Sequence, residues 1–96
     1  MKTINISMEQ RMLCVTFMTQ GKAGTVEQMR KVDKVCNVLE EGLDVKETDM
    51  EKINTLKFED TDFTFLKQSF DSFEGWLPQA RKQIIAMAKV LEEAKE

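Results

Sequence analysis

The sequence predicts a mainly α protein, a compact bundle of four to five short helices, with a minimal two-stranded β ribbon of about 3–6 with 56–59 if two alternating segments pair. Three observations carry this expectation. Ser7/Gln10, Thr25/Gln28 and Thr48/Glu51 repeat one pattern, a hydroxyl followed three residues later by a glutamine or glutamate. In that pattern the two side chains reciprocally satisfy free N–H groups at a helix start. Apolar residues then recur at steps of three and four, which gathers them on one helix face. Glycines and the single proline punctuate the runs. At 96 residues the chain is expected to form one domain, 1–96.

Thr3-Ile4-Asn5-Ile6 alternates polar and apolar residues and reads as a short strand. Ser7 stops it and caps a helix from about Met8 to Thr19, with Met8, Met12, Val15 and Met18 or Thr19 at helical spacing. Gly21 and Gly24 supply a stop and a turn. Thr25 opens the clearest amphipathic helix, whose inward stripe is Val26, Met29, Val32, Cys36 and Leu39 and whose outward face carries Glu27, Arg30, Lys31 and Lys34. Gly42 should end that helix near Glu41. A short helix, Asp49 to Asn54, is expected next. It leads into Leu56-Lys57-Phe58, a second strand for which the Thr3 to Ile6 segment is the available partner.

Asp60 or Thr61 then caps a helix whose apolar positions Phe63, Leu66, Phe70, Phe73 and Leu77 form a seam lasting two heptads, with Gly75 as its stop. Pro78 opens a final helix to about Ala94, with Leu77, the stem of Arg81, Ile84, Ala88 and Leu91 inward and Ile85 and Met87 widening the stripe. The two last helices are expected to form a hairpin around Trp76.

Composition narrows the function classes. The chain is 42% hydrophobic and 32% charged, which fits a folded domain rather than a disordered one. Its net charge of -3 is uneven: residues 1–37 hold six bases and three acids, and the remainder holds eight bases and fourteen acids. Such a dipolar chain can steer a charged partner, although a solvated surface needs no further purpose. No run of fifteen apolar residues occurs, and Met1-Lys2-Thr3-Ile4-Asn5 does not begin like a signal peptide. A cytoplasmic protein without a membrane segment is expected, in the host cytoplasm if a phage encodes it.

Catalysis is not expected. There is no histidine to shuttle protons near neutral pH. Cys14 and Cys36 fall among Leu13, Val15, Val35 and Val38, where thiols act as small hydrophobes. No CxxC pair suggests a metal, so no metal or other cofactor is expected. Asp60-Thr61-Asp62-Phe63-Thr64 starts like a calcium loop but has Phe65 where the sixth-position glycine is required. Glu40-Glu41 and Glu92-Glu93 are adjacent acids of helix ends rather than an acid and base pair.

Binding remains. Phe65, off the main stripe, is a candidate exposed anchor, with Phe73 and Trp76 at a helical bend and Glu59, Asp60 and Asp62 as an acidic rim. The bland alternative places Phe73 and Trp76 in the core. Lys22, Gly24, Thr25, Arg30 and Lys34 form an alternative constellation for an anionic ligand such as a nucleotide, because Gly24 and Thr25 sit at a helix N-terminus. Plain capping also accounts for them. Nucleic acid is disfavoured, since Lys22, Arg30, Lys31 and Lys34 are few charges against overall acidity.

Ile6-Ser7-Met8-Glu9-Gln10-Arg11-Met12-Leu13, a glycine turn, Thr25 and then Met29-Arg30-Lys31-Val32 resembles small uncharacterised phage or prophage helical proteins. In those the first helix carries Leu-Ser-x-x-x-Arg, and the turn has a Pro-Glu-Gly-like stretch where this chain has Gln20-Gly21-Lys22-Ala23-Gly24. The resemblance implies a phage setting, where small acidic proteins often inhibit host machinery by binding it. It implies no functional residue. The expected function is a non-enzymatic interaction with a protein partner; the alternatives are a nucleotide-binding sponge and a homo-oligomeric assembly factor.

Overall fold

The computed structural model describes residues 1–20, 24–41 and 49–95. The chain runs β1 (Lys2–Ser7), α1 (Met8–Thr19), α2 (Val26–Glu40), β2 (Ile53–Phe58), α3 (Asp60–Ser72), a 3-10 turn (Pro78–Ala80) and α4 (Arg81–Glu92). The expected architecture, mainly helical with a small ribbon, is what forms. The strands pair antiparallel from Lys2↔Phe58 to Ser7↔Ile53, longer than the alternation suggested, and Glu59 falls outside the ribbon as the N-cap of α3. Ile4, Ile6, Leu56 and Phe58 point to the core, while Thr3, Asn5, Thr55 and Lys57 lie on the other face. There Thr55 Oγ1 donates to Asn5 Oδ1 at 2.8 Å. Beyond α4, Lys95 exchanges two backbone hydrogen bonds with Thr3, at 2.6 and 3.0 Å.

Both described capping boxes form as the sequence indicates. Ser7 Oγ accepts from Gln10 N while Gln10 Oε1 accepts from Ser7 N, and Thr25 and Gln28 repeat the exchange. Thr48, the first residue of the third pattern, lies outside the described residues, as does Gly42.

The helix expected over Asp49 to Asn54 is absent. Asp49 to Lys52 make a turn, and the chain enters β2 at Ile53. A helix start leaves N–H groups without intrahelical partners. Those of Met8 and Glu9 on α1 donate to the carbonyls of Lys52 and Met50, at 3.1 and 3.0 Å. The segment therefore serves the start of another helix instead of forming its own.

The core is drawn from every helix and both strands. On α1 the buried residues are Met8, Arg11, Cys14, Phe17 and Met18, while Met12 is exposed. Met8 and Met18 of the expected stripe are thus inward, Val15 is half-buried, and Met12 gives way to Arg11, Cys14 and Phe17, which the expected stripe leaves out. On α2 only the C-terminal half is seated: Val35, Cys36 and Leu39 are buried, whereas Val26 is 68% exposed and Met29 is also exposed. The first turns of α2 overhang the core.

Helix α3 buries Phe63, Leu66 and Phe70 but ends at Ser72 rather than at Gly75. The ring of Phe73 folds back over Gly75, so close that a Cβ there would lie 2.6 Å from it. Pro78 opens a 3-10 turn that runs directly into α4, and α4 ends at Glu92, short of Ala94. Met87 and Leu91 are buried and Ile84 and Ala88 half-buried, but Leu77 and Ile85 are exposed. No described helix is long and apolar enough to cross a membrane.

Candidate functional site

Helices α2 and α3 pack side by side, and between their outer faces lies an open groove of about 660 Å³. Arg30, Lys31 and Lys34 line it from α2, together with Glu27. From α3 come Asp60, Thr61, Asp62, Thr64, Phe65 and Gln68. The local reason is helical spacing. Arg30, Lys31 and Lys34 share the face of α2 opposite its buried stripe, and Thr61, Thr64, Phe65 and Gln68 recur at steps of three and four on α3.

Phe65 is half-buried, packed against the core edge, and the Nζ of Lys31 sits 5.9 Å from its ring centroid. That distance is at the outer limit for a cation held over an aromatic face. Among the described residues, Arg30, Lys31, Lys34 and Asp62 have no ion-pair partner. Asp60 lies 3.2 Å from the α-amino group of Met1. Both of those groups are exposed, so the pair adds little stability. The groove thus offers three cations with Glu27 on the α2 wall, and two aspartates with an aromatic ring on the α3 wall.

Members of two separate constellations meet here: Phe65, Asp60 and Asp62 from the partner surface, and Arg30 and Lys34 from the anion set. The rest lie elsewhere. Phe73 and Trp76 are half-buried in an aromatic cluster with Phe17 and Phe70, with ring centroids 4.4 Å apart for Phe73–Trp76 and 5.5 Å for Phe17–Trp76. They therefore pack against the core away from the groove, each partly exposed. Glu59 is exposed at the N-cap of α3 and makes no side-chain cap. Thr25 is engaged in its capping box, and the Gln28 carboxamide fills the space that a Cβ on Gly24 would take. Lys22 lies outside the described residues. Glu27, Lys31, Thr61, Thr64 and Gln68 join the groove's lining, and helical spacing from Arg30, Lys34 and Phe65 is the signal in the sequence that marks them.

The two cysteines sit apart from the groove. Burial pushes the Cys14 thiol up to about 12, with the neighbouring Cys36 adding to the shift. The Cys36 thiol is raised by burial and then by the charges of Glu40 and Asp33. Both are neutral thiols at physiological pH. Among the described residues no three Cys, Asp or Glu side chains converge to hold a metal ion.

Comparison of the chain with protein-family models, curated proteins and solved structures finds no match to any.

Proposed function

We propose that the chain acts by binding a protein partner along the α2–α3 groove and catalyses no reaction. The carrying observation is the juxtaposition of Phe65 with the ion-pair-free Arg30, Lys31 and Lys34 and the opposing Asp60 and Asp62. Charges without partners can be satisfied by a second molecule, and an aromatic residue in the middle of a charged frame is a common anchor. A fitting segment places an apolar side chain on Phe65 with an acidic group toward α2 and a basic one toward α3. The neutral state of both thiols supports the non-catalytic part of the reading. The resemblance to small phage proteins supports a partner among host components in the cytoplasm, with inhibition as the outcome.

Site-specific photo-crosslinking tests this. A photoreactive residue at position 65 should capture one host protein that the same residue at exposed position 85 does not. Lys31→Glu with Lys34→Glu should reduce the yield at least about tenfold, the effect of reversing close charge pairs at an interface. Equal capture from both positions, or indifference to charge reversal, overturns the proposal.

A small anionic ligand is the second reading, favoured by the three basic side chains beside Phe65. A nucleotide at 100 times its dissociation constant would stabilise the protein by about 2.7 kcal/mol in a thermal-shift titration. The aspartates on the opposite wall oppose it.

A further inference from the structure

The ribbon has two edges, and they differ. Thr3 turns its N–H and C=O away from β2 to meet Lys95. Because backbone groups alternate direction along a strand, Lys2, Ile4 and Ile6 face β2, and Thr3, Asn5 and Ser7 face outward. Across the register, Asn54, Leu56 and Phe58 answer the inward set. The N–H and C=O groups of Ile53, Thr55 and Lys57 therefore point to the far edge of β2. On the β1 side, Lys95 covers Thr3 and the Gln10 carboxamide takes the Ser7 N–H at 3.0 Å. On the β2 side, the main chains of Ile53, Thr55 and Lys57 make no hydrogen bond among the described residues. All three side chains are exposed there, Ile53 by 61%.

We propose that this edge of β2 pairs antiparallel with the same edge of a second copy, making a four-stranded sheet across a two-fold axis. The pairing is independent of the α2–α3 groove. Charge favours this occupant and disfavours one neighbouring register. A lone lysine on an edge usually discourages pairing, but β2 is preceded by Glu51. When Ile53 of one copy stands opposite Thr55 of the other, Lys57 of each stands toward Glu51 of the other, and the two-fold axis makes the contact twice. Shifting the register so that Thr55 meets Thr55 sets Glu51 toward Glu59, two like charges. The favoured register also brings the β-branched Ile53 and Thr55 together, a good cross-strand pair.

The symmetry explains why pairing stops. An isologous contact uses the same patch on both copies, and with the β1 edge covered at Thr3 and Ser7, Asn5 alone of its outward set is left uncovered among the described residues, too short a stretch to extend a fibre. A two-stranded ribbon is also marginal alone and gains from added strands.

Light scattering across a concentration series reads the outcome, with circular dichroism confirming that each variant folds. The wild-type chain should dimerise. Lys57→Glu should raise the dimer dissociation constant at least about tenfold, by turning two attractive cross-strand contacts repulsive. Glu51→Lys combined with Lys57→Glu should restore it. Thr55→Pro removes an outward N–H that no contact within the chain uses, and it should leave only monomer. Phe65→Ala should leave the dimer intact. A monomeric wild type, a dimer indifferent to Lys57→Glu, or a dimer lost with Phe65→Ala each overturns the proposal, the last by moving self-association to the groove.

Discussion

Arg11 is 2% exposed, an unusual place for a guanidinium. Its Nε donates to the Leu39 carbonyl at 2.8 Å and its Nη2 to the Glu41 carbonyl at 2.5 Å. These belong to the end of α2, where the last carbonyls lack intrahelical partners and the helix dipole is negative. Burial lowers the Arg11 pKa and the Glu41 charge opposes the shift, yet a guanidinium stays charged. Arg11 is thus the C-terminal cap of α2 delivered by α1. Arg11→Ala should destabilise the protein by about 2–3 kcal/mol, the scale for hydrogen bonds from a charged group. Arg11→Lys should recover less than half of that, because an ammonium lacks the planar fork. Urea denaturation reads both, and an unchanged midpoint for Arg11→Ala would show that water caps α2 equally well. Residue type alone hides this role, since an arginine does not join an apolar stripe and its partners lie on another helix.

At the scale of elements, the legible features were local ones. Ser7 and Thr25 cap as their patterns imply because both partners lie within four residues. The turn at Asp49 to Lys52 was illegible because the groups that recruit its carbonyls sit more than forty residues earlier, on α1. The candidate site divides the same way. Phe65, Asp60 and Asp62, and likewise Arg30 and Lys34, could be picked out from residue type and helical position. That they share one groove depends on how α2 and α3 pack, which no spacing encodes. The end of α3 gives a prediction. Gly75→Ala places a methyl group against the Phe73 ring, whose centroid lies 4.4 Å from that of Trp76. The ring must shift, at a cost of about 1–3 kcal/mol for overpacking. Trp76 emission should move to longer wavelength as its cover loosens; unaltered emission and stability would mean that the ring relaxes freely.

For the whole molecule, core burial of a thiol links stability to pH. Cys14 ionises at about 12 in the folded state against an ordinary value of 9.0. A raised folded pKa contributes stability that is complete below the unfolded value and is lost as pH climbs toward the folded one. Stability should therefore fall from about pH 9 upward. Cys14→Ala should be less stable at neutral pH through its cavity, but its stability should decline less over the same alkaline window. Parallel declines of the two proteins in urea titrations would show that other groups dominate there.

The ribbon also sets an order of events during synthesis. Asn5 and Thr55 meet across it from positions 50 residues apart, so β1 leaves the ribosome long before its mate exists. At bacterial to eukaryotic elongation rates that wait is roughly 3–10 s, with Ile4 and Ile6 uncovered throughout. The α1–α2 pair, nearer in sequence, can assemble first because closing a shorter loop costs less entropy. Pulse-labelling hydrogen exchange on refolding should then protect the amides of the α1–α2 pair before those of β1; simultaneous protection would show that ribbon and helices form together.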